Sequence, residues 1–172
     1  MGADLPPMTK AELIEACNTF PDDAGLGWDR LHPKVINRLS DDLVDLLLTI
    51  LTRCEKKGEW PRAVAMVLIA LLRKPEGDFR AIGLCPGLPR MWMRTRRKQA
   101  TKWESKNSKW FVFAGKGKGA DVAAWLQGAS AELAATARTE AEYAQVLLDL
   151  VKAFDNIPHW LLIREARELG TP

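Results

Sequence analysis

A chain of 172 residues, 47% hydrophobic and 27% charged, is sized for one domain or slightly more and can bury a core, which excludes disorder as its main state. Cys17, Cys54 and Cys85 are odd in number, widely spaced and without a CxxC pair, so they suggest neither a disulfide framework nor a zinc site and fit a reducing interior. The net charge of +3 is unevenly spread: from Arg90 to Lys118 ten Lys and Arg stand against one acid, Glu104, a local +9, and the other 15 bases and 21 acids leave −6 elsewhere.

The N-terminus, MGADLPPMTKAELIEAC, has acids and prolines where a secretory signal would carry a basic patch and an apolar block, so an intracellular location, nucleus or cytoplasm, is expected. A short helix is predicted near Thr9 to Cys17. FPDDAGLGWD is too dense in Pro, Gly and Asp for either regular period and reads as a loop. Ser40 then precedes a helix with Asp41 and Asp42 in its first turn and Leu43, Leu46, Leu47, Ile50 and Leu51 at i, i+3, i+4, i+7 and i+8. Arg53, Lys56, Lys57 and Gly58 close it, the bases meeting the negative end of the macrodipole and the glycine offering a left-handed exit.

Trp60-Pro61 interrupts the pattern before Ala63 to Leu72, an apolar run of ten residues. That is about half of the roughly 20 needed to cross a bilayer, so no membrane partner is expected. Val64, Val67 and Ile69 favour a buried strand there. Phe79 to Leu84 lies beyond the turn residues KPEGD, and the two stretches predict a β-hairpin. Helical periodicity returns from about Leu88 to Trp103 and from Asp121 to about Arg138, where Val122, Trp125, Leu126, Ala129 and Leu133 share one face. FAGKGKGAD between them is a glycine-rich basic loop; no GK(S/T) follows, so it is not a Walker motif. AQVLLDLV is a third strand candidate, and a last helix is predicted after Pro158 with Leu161, Leu162, Ala166 and Leu169 inward. The fold class expected is α+β, short antiparallel strands packed with several helices.

The segment VLLDLVKAFDNIPH, residues 146 to 159, carries the strongest chemical signal. Asp149 is a lone acid in an apolar strand, where an ionised carboxylate is costly unless it is paired or holds a metal. It either caps a turn or pairs with Lys152, or it presents oxygens to Mg²⁺ at a strand end. Lys74 and Arg80 lie six apart about the hairpin tip, close enough to grip one polyphosphate, or simply to sit in solvent as two charges. The basic segment with Arg90, Arg94, Arg97, Lys98 and Lys102 is either a solvated helix face or a contact for nucleic acid, binding electrostatically and with little sequence preference. Trp92 and Trp103, interleaved with it, are more readily core residues than stacking platforms. His32 and His159, each beside a proline at a helix edge, read as caps or turn residues.

The 146–159 string resembles motif A of reverse transcriptases, written DLxKAFDxIPH, of the non-LTR retrotransposon or group II intron type. Other blocks follow the order of that family. Gly25 to Pro33, GLGWDRLHP, resembles the block GxDG followed by a helix; GEWPRAVAMVLIALLRKPEGDFRAIGL resembles the fingers segment GxxPxxWKxxxVxxIPKxGxxRPIxL; and GKGKGAD resembles GxRxGxxTxDA. The resemblance covers about Gly25 to Pro172, so residues 1–24 are expected to be an N-terminal extension and 25–172 a partial reverse transcriptase domain. It implies a partial right-hand polymerase, fingers and early palm. Asp149 and the carbonyl of Leu150 would be metal contacts, Asp149 being the catalytic carboxylate, and Phe154 would favour deoxynucleotides by blocking a ribose 2′-hydroxyl. Lys74 and Arg80 would hold the triphosphate. Arg90, Arg94, Arg97, Lys98, Lys102, Lys116 and Lys118 would lie along an RNA template and DNA primer. Mg²⁺ would be the cofactor.

The chain departs from the family in three places. Ala81 stands where proline usually follows the fingers arginine. The base of the IPK triplet is Arg73 or Lys74, of which Lys74 fits better because Pro75 and Gly77 follow. No (Y/F)xDD string follows the 146–159 segment, the FPDD of residues 20–23 lying far upstream of it, and one carboxylate cannot by itself hold the two ions of a two-metal centre. The expectation is therefore a polymerase fragment inactive alone, with a non-catalytic RNA or RNA·DNA binding remnant as the alternative and a helical interaction module with a coincidental motif as a third reading.

Overall fold

The structure, a computed structural model of the full chain, describes residues 5–114, 117–136, 144–146, 148 and 156–171. Among them the chain is mixed α+β, with seven helical elements and one two-stranded antiparallel sheet. It divides into two compact units, Ala3–Lys102 and Trp103–Thr171.

In the first unit, α1 spans Lys10–Asn18. A capping box starts it: the Glu12 amide donates to Thr9 Oγ1 at 3.2 Å and the Thr9 amide donates back to Glu12 Oε2 at 2.9 Å, so two amides without helical partners are satisfied reciprocally. The loop expected at FPDDAGLGWD has no regular structure, and a 3-10 helix that the sequence did not announce follows at Pro33–Arg38. Its cap is His32, whose side chain accepts from the Lys34 amide, the role expected of that residue.

Helix α2 spans Asp41–Lys57 and ends on Gly58 at φ 65°, the left-handed exit expected there. Its buried face differs from the expected one. Val44, Leu51 and Cys54 are buried, whereas Leu43, Leu46 and Ile50 are exposed. The helix is apolar over more than half its circumference, and contact with α1, the 3-10 helix and Met91 selects one edge of that broad stripe. The resulting core joins Met8, Leu13, Cys17, Ile36, Val44, Leu51 and Met91. Residues 8–17 thus contribute to the same core as the residues after Gly25.

The apolar run from Ala63 is split. Arg62–Ala65 forms a single helical turn, α3, and strand β1 spans Leu68–Arg73. Strand β2 spans Phe79–Leu84 and pairs antiparallel with β1, so the hairpin is where it was expected. Its burial is not: Leu68, Ile69, Leu71, Leu72, Phe79 and Ile82 are all exposed. A two-stranded ribbon has two faces, and among the described residues no further layer covers either. Helix α4, Gly87–Asn107, buries Gly87, Pro89, Met91, Thr95 and Arg96.

In the second unit, α5 spans Ala120–Thr136 and α6 spans His159–Glu168 with Pro158 as N-cap. The apolar faces expected to point inward are largely open among the described residues: Val122, Trp125, Leu126 and Leu133 on α5, and Leu162 and the following Leu169, are exposed, while Leu161 and Ala166 are half-buried. Trp103 Nε1 donates to the Leu169 carbonyl at 2.9 Å and so closes the end of α6. Of the third strand candidate, Ala144, Gln145, Val146 and Leu148 carry no strand and are exposed; its other residues lie outside those described. No helix among the described residues is long and apolar enough to cross a membrane.

Candidate nucleotide and nucleic-acid interface

Strand pairing sets the hairpin's chemistry. Arg80 lies opposite Leu72, and Arg73 opposite Phe79. Side chains alternate between faces along a strand, so Leu72, Lys74 and Arg80 fall on one face and Arg73 on the other. Lys74 and Arg80 are therefore diagonal neighbours, about 7–8 Å apart at the backbone, within reach of one polyphosphate by two long side chains. The same alternation favours Lys74 over Arg73 as the partner of Arg80.

The tip is built by its own residues. Lys74 N donates to the Asp78 carbonyl at 2.7 Å, Gly77 N donates to the Lys74 carbonyl at 3.1 Å, and Phe79 N donates to Asp78 Oδ1 at 2.8 Å. Gly77 sits at φ 90°, which a side chain adopts only under strain. Lys74 Nζ lies 3.4 Å from Asp78 Oδ2. That exposed pair contributes about 0–1 kcal/mol, little enough for a triphosphate to displace it.

The basic segment is engaged by the protein far more than its charge suggested. Arg90 Nη1 donates to the Gly25 carbonyl at 2.5 Å, and the Arg90 and Arg94 guanidiniums stand 5.2 and 4.4 Å from the centre of the Phe20 ring. Lys98 ion-pairs with Glu15 at 3.1 Å, Lys118 donates to Ser108 Oγ and the Lys109 carbonyl, and Lys102 also has a partner. Arg97 is exposed. Lys116 lies outside the described residues.

Arg96, read only as one more positive charge, is buried. Its Nε and Nη2 donate to the two Glu55 carboxylate oxygens at 2.6 and 2.5 Å, and Nη1 donates to the Pro6 carbonyl at 2.9 Å. Trp92 Nε1 donates to Glu55 Oε2 at 2.6 Å while its ring meets Trp60 edge-on at 5.8 Å, so Trp92 is a packing residue. Burial pushes the Glu55 carboxyl up, but the hydrogen bonds from Arg96 and Trp92 and the Arg96 charge outweigh it and hold the group below its ordinary value. The spacing of Trp92 and Arg96, four apart on one helical face, was the available signal.

Asp29, in the GLGWD block, is a second residue whose role the sequence did not disclose. Its Oδ1 accepts from the Leu31 amide at 3.2 Å and its Oδ2 from the Gly87 amide at 2.8 Å, so it caps the first turn of α4 from 58 positions upstream. The fit there is tight. A Cβ on Gly27 would lie 2.6 Å from the Cys85 carbonyl oxygen, and one on Gly87 2.8 Å from the Leu31 side chain.

Asp149, Leu150 and Phe154 lie outside the described residues. Among the described residues no group of three or more His, Cys, Asp or Glu could hold a metal ion, and all three cysteines are free thiols. No protein-family model matches the chain, and no curated protein matches it.

Proposed function

We propose that the chain is the fingers and early palm portion of a retroelement RNA-directed DNA polymerase, which uses deoxynucleoside triphosphates on an RNA template with a DNA primer. One observation carries this reading: a motif A-like string, VLLDLVKAFDNIPH, occurs in one chain with a hairpin whose Lys74 and Arg80 share a face. In that role Lys74 supplies a point charge and Arg80 a planar fork to the triphosphate, orienting it for attack by a primer hydroxyl. Asp149, with the Leu150 carbonyl, would hold Mg²⁺, which offsets phosphate charge when bound; Phe154 would select deoxyribose. Exposed bases of α4 would follow the strand backbone.

Two measurements test this. Titration with a fluorescent deoxynucleoside triphosphate should give binding that Arg80→Ala weakens about tenfold, a loss on the scale of a charged hydrogen bond, and that Asp78→Asn strengthens by releasing Lys74. Unchanged affinity in Arg80→Ala would remove the hairpin from the nucleotide site and sink the reading. A primer-extension assay with Mg²⁺ should show no product from the 172 residues alone, because no (Y/F)xDD string follows the motif A-like segment to supply further carboxylates; robust extension would overturn that expectation.

A further inference from the structure

Away from the hairpin and from α4, the loop after Gly27 and the 3-10 helix wall a cavity of about 490 Å³, within the range of small-ligand sites. Asp22, Arg30, His32, Lys34 and Arg38 line it, four basic residues against one acid. Two of the four are already committed. Lys34 Nζ ion-pairs with Asp22 Oδ1 at 2.5 Å, a contact that holds the Asp22 carboxyl below its ordinary value. His32 is fixed through both ring nitrogens: Nδ1 accepts from the Lys34 amide at 3.1 Å, and Nε2 lies 3.0 Å from the Pro21 carbonyl. Since a carbonyl only accepts, Nε2 is the nitrogen that bears the proton.

Arg30 and Arg38 are different. Both open on this cavity, and among the described residues neither guanidinium has a hydrogen-bond or ion-pair partner. Arg30 also holds a φ of 51°, and among the described residues no other non-glycine has a positive φ. Such a backbone costs energy and persists only where the surroundings enforce it. Here the enforcement is visible: Arg30 N donates to the Gly27 carbonyl at 3.0 Å, Asp29 ties the loop to Gly87, and Gly27 is pressed against Cys85 and Pro86. The loop is thus built to present Arg30 at a set position on the cavity that Arg38 also lines.

We propose that this cavity is a phosphate-binding site, in which the Arg30 and Arg38 guanidiniums take the phosphate of a nucleotide-sized ligand. With the Asp22–Lys34 pair neutral overall, the two guanidiniums leave a local charge of +2, complementary to a phosphate monoester dianion or to two successive phosphodiesters. Arginine suits either, because its fork offers parallel N–H donors to two oxygens at once. Arg30 lies in the GLGWDRLHP block, but none of Lys74, Arg80, Asp149, Leu150 and Phe154, which carry nucleotide and metal in the proposed function, takes part, so the two proposals fail separately.

The test uses the full chain and two probes, adenosine 5′-monophosphate and a fluorescein-labelled twelve-nucleotide single-stranded RNA. Arg30→Gly is the first variant, since glycine accepts the positive φ and keeps the loop while removing the guanidinium; Arg38→Ala is the second. Thermal melts confirm that both remain folded. Each variant should weaken adenosine 5′-monophosphate about tenfold, and unphosphorylated adenosine should not bind. If wild type binds the RNA but not the mononucleotide, and the double variant binds the RNA about tenfold or more weakly, the phosphate comes from a strand backbone. Equal binding of both probes by wild type and double variant, or binding of neither probe by wild type, overturns the proposal.

Discussion

Glu55 and Arg96 form the most enclosed ion pair among the described residues, with side chains 17% and 7% exposed. Removing one member strands the other, which for buried pairs costs about 3–5 kcal/mol. Glu55→Gln and Arg96→Met should each lower the denaturation midpoint by that order, and the double variant should cost less than the sum, because it strands neither charge. The pH dependence follows from sign. The folded-state carboxyl of Glu55 titrates below its ordinary 4.5, so the unfolded chain binds the proton more readily and stability rises with pH. The contribution is complete above about pH 4.5 and is lost as pH falls through the lowered value; Glu55→Gln should flatten that acid limb in a urea titration. The thiols offer a second check. Burial pushes Cys17 up to about 11, whereas Cys85 is half-buried. Alkylation at pH 8 should mark Cys85 first and reach Cys17 only on unfolding.

At the scale of elements, close approach rather than propensity decides which substitutions matter. Gly58 has open space around it and needs only its left-handed φ, so Gly58→Ala should cost about 1 kcal/mol. Gly27→Ala drives a methyl into backbone atoms of Cys85 and Pro86, which cannot swing aside, and should cost about 2–3 kcal/mol. A chemical denaturation series reads the difference; equal midpoints would contradict the packing described. Helix ends and the hairpin were legible because Thr9, Asp41, Gly58 and KPEGD act within a few residues of themselves. The buried edge of α2 was not, since Leu43 and Val44 are equally apolar and only the neighbours choose between them. The roles of Asp29 and Arg96 depend on partners 58 and 41 positions away, and the i, i+4 spacing of Trp92 and Arg96 marks a shared face without naming Glu55 as what it meets.

For the molecule as a whole, the local +9 of residues 90–118 overstates what a polyanion can find. Arg90, Arg94, Arg96, Lys98 and Lys118 already face carbonyls, carboxylates, a hydroxyl or an aromatic ring, and Lys102 has a partner. Ten phosphate contacts would give single-stranded RNA binding a slope of about −7 in log K against log salt, and three to five would give about −2 to −4. The shallower slope is the expected one, and a slope near −7 would mean that those internal contacts open on binding. The basic character of the segment was thus readable from composition, but its availability was not, because Phe20, Gly25 and Glu15 come to it from far along the chain.

The distance between Asp29 and Gly87 also orders the folding of the first unit. The capping box of α1 joins residues three apart and can form before the chain collapses, whereas the first amide of α4 waits for a loop of 58 residues to close. In pulsed hydrogen exchange during refolding, the Glu12 amide would gain protection early and that of Gly87 among the last.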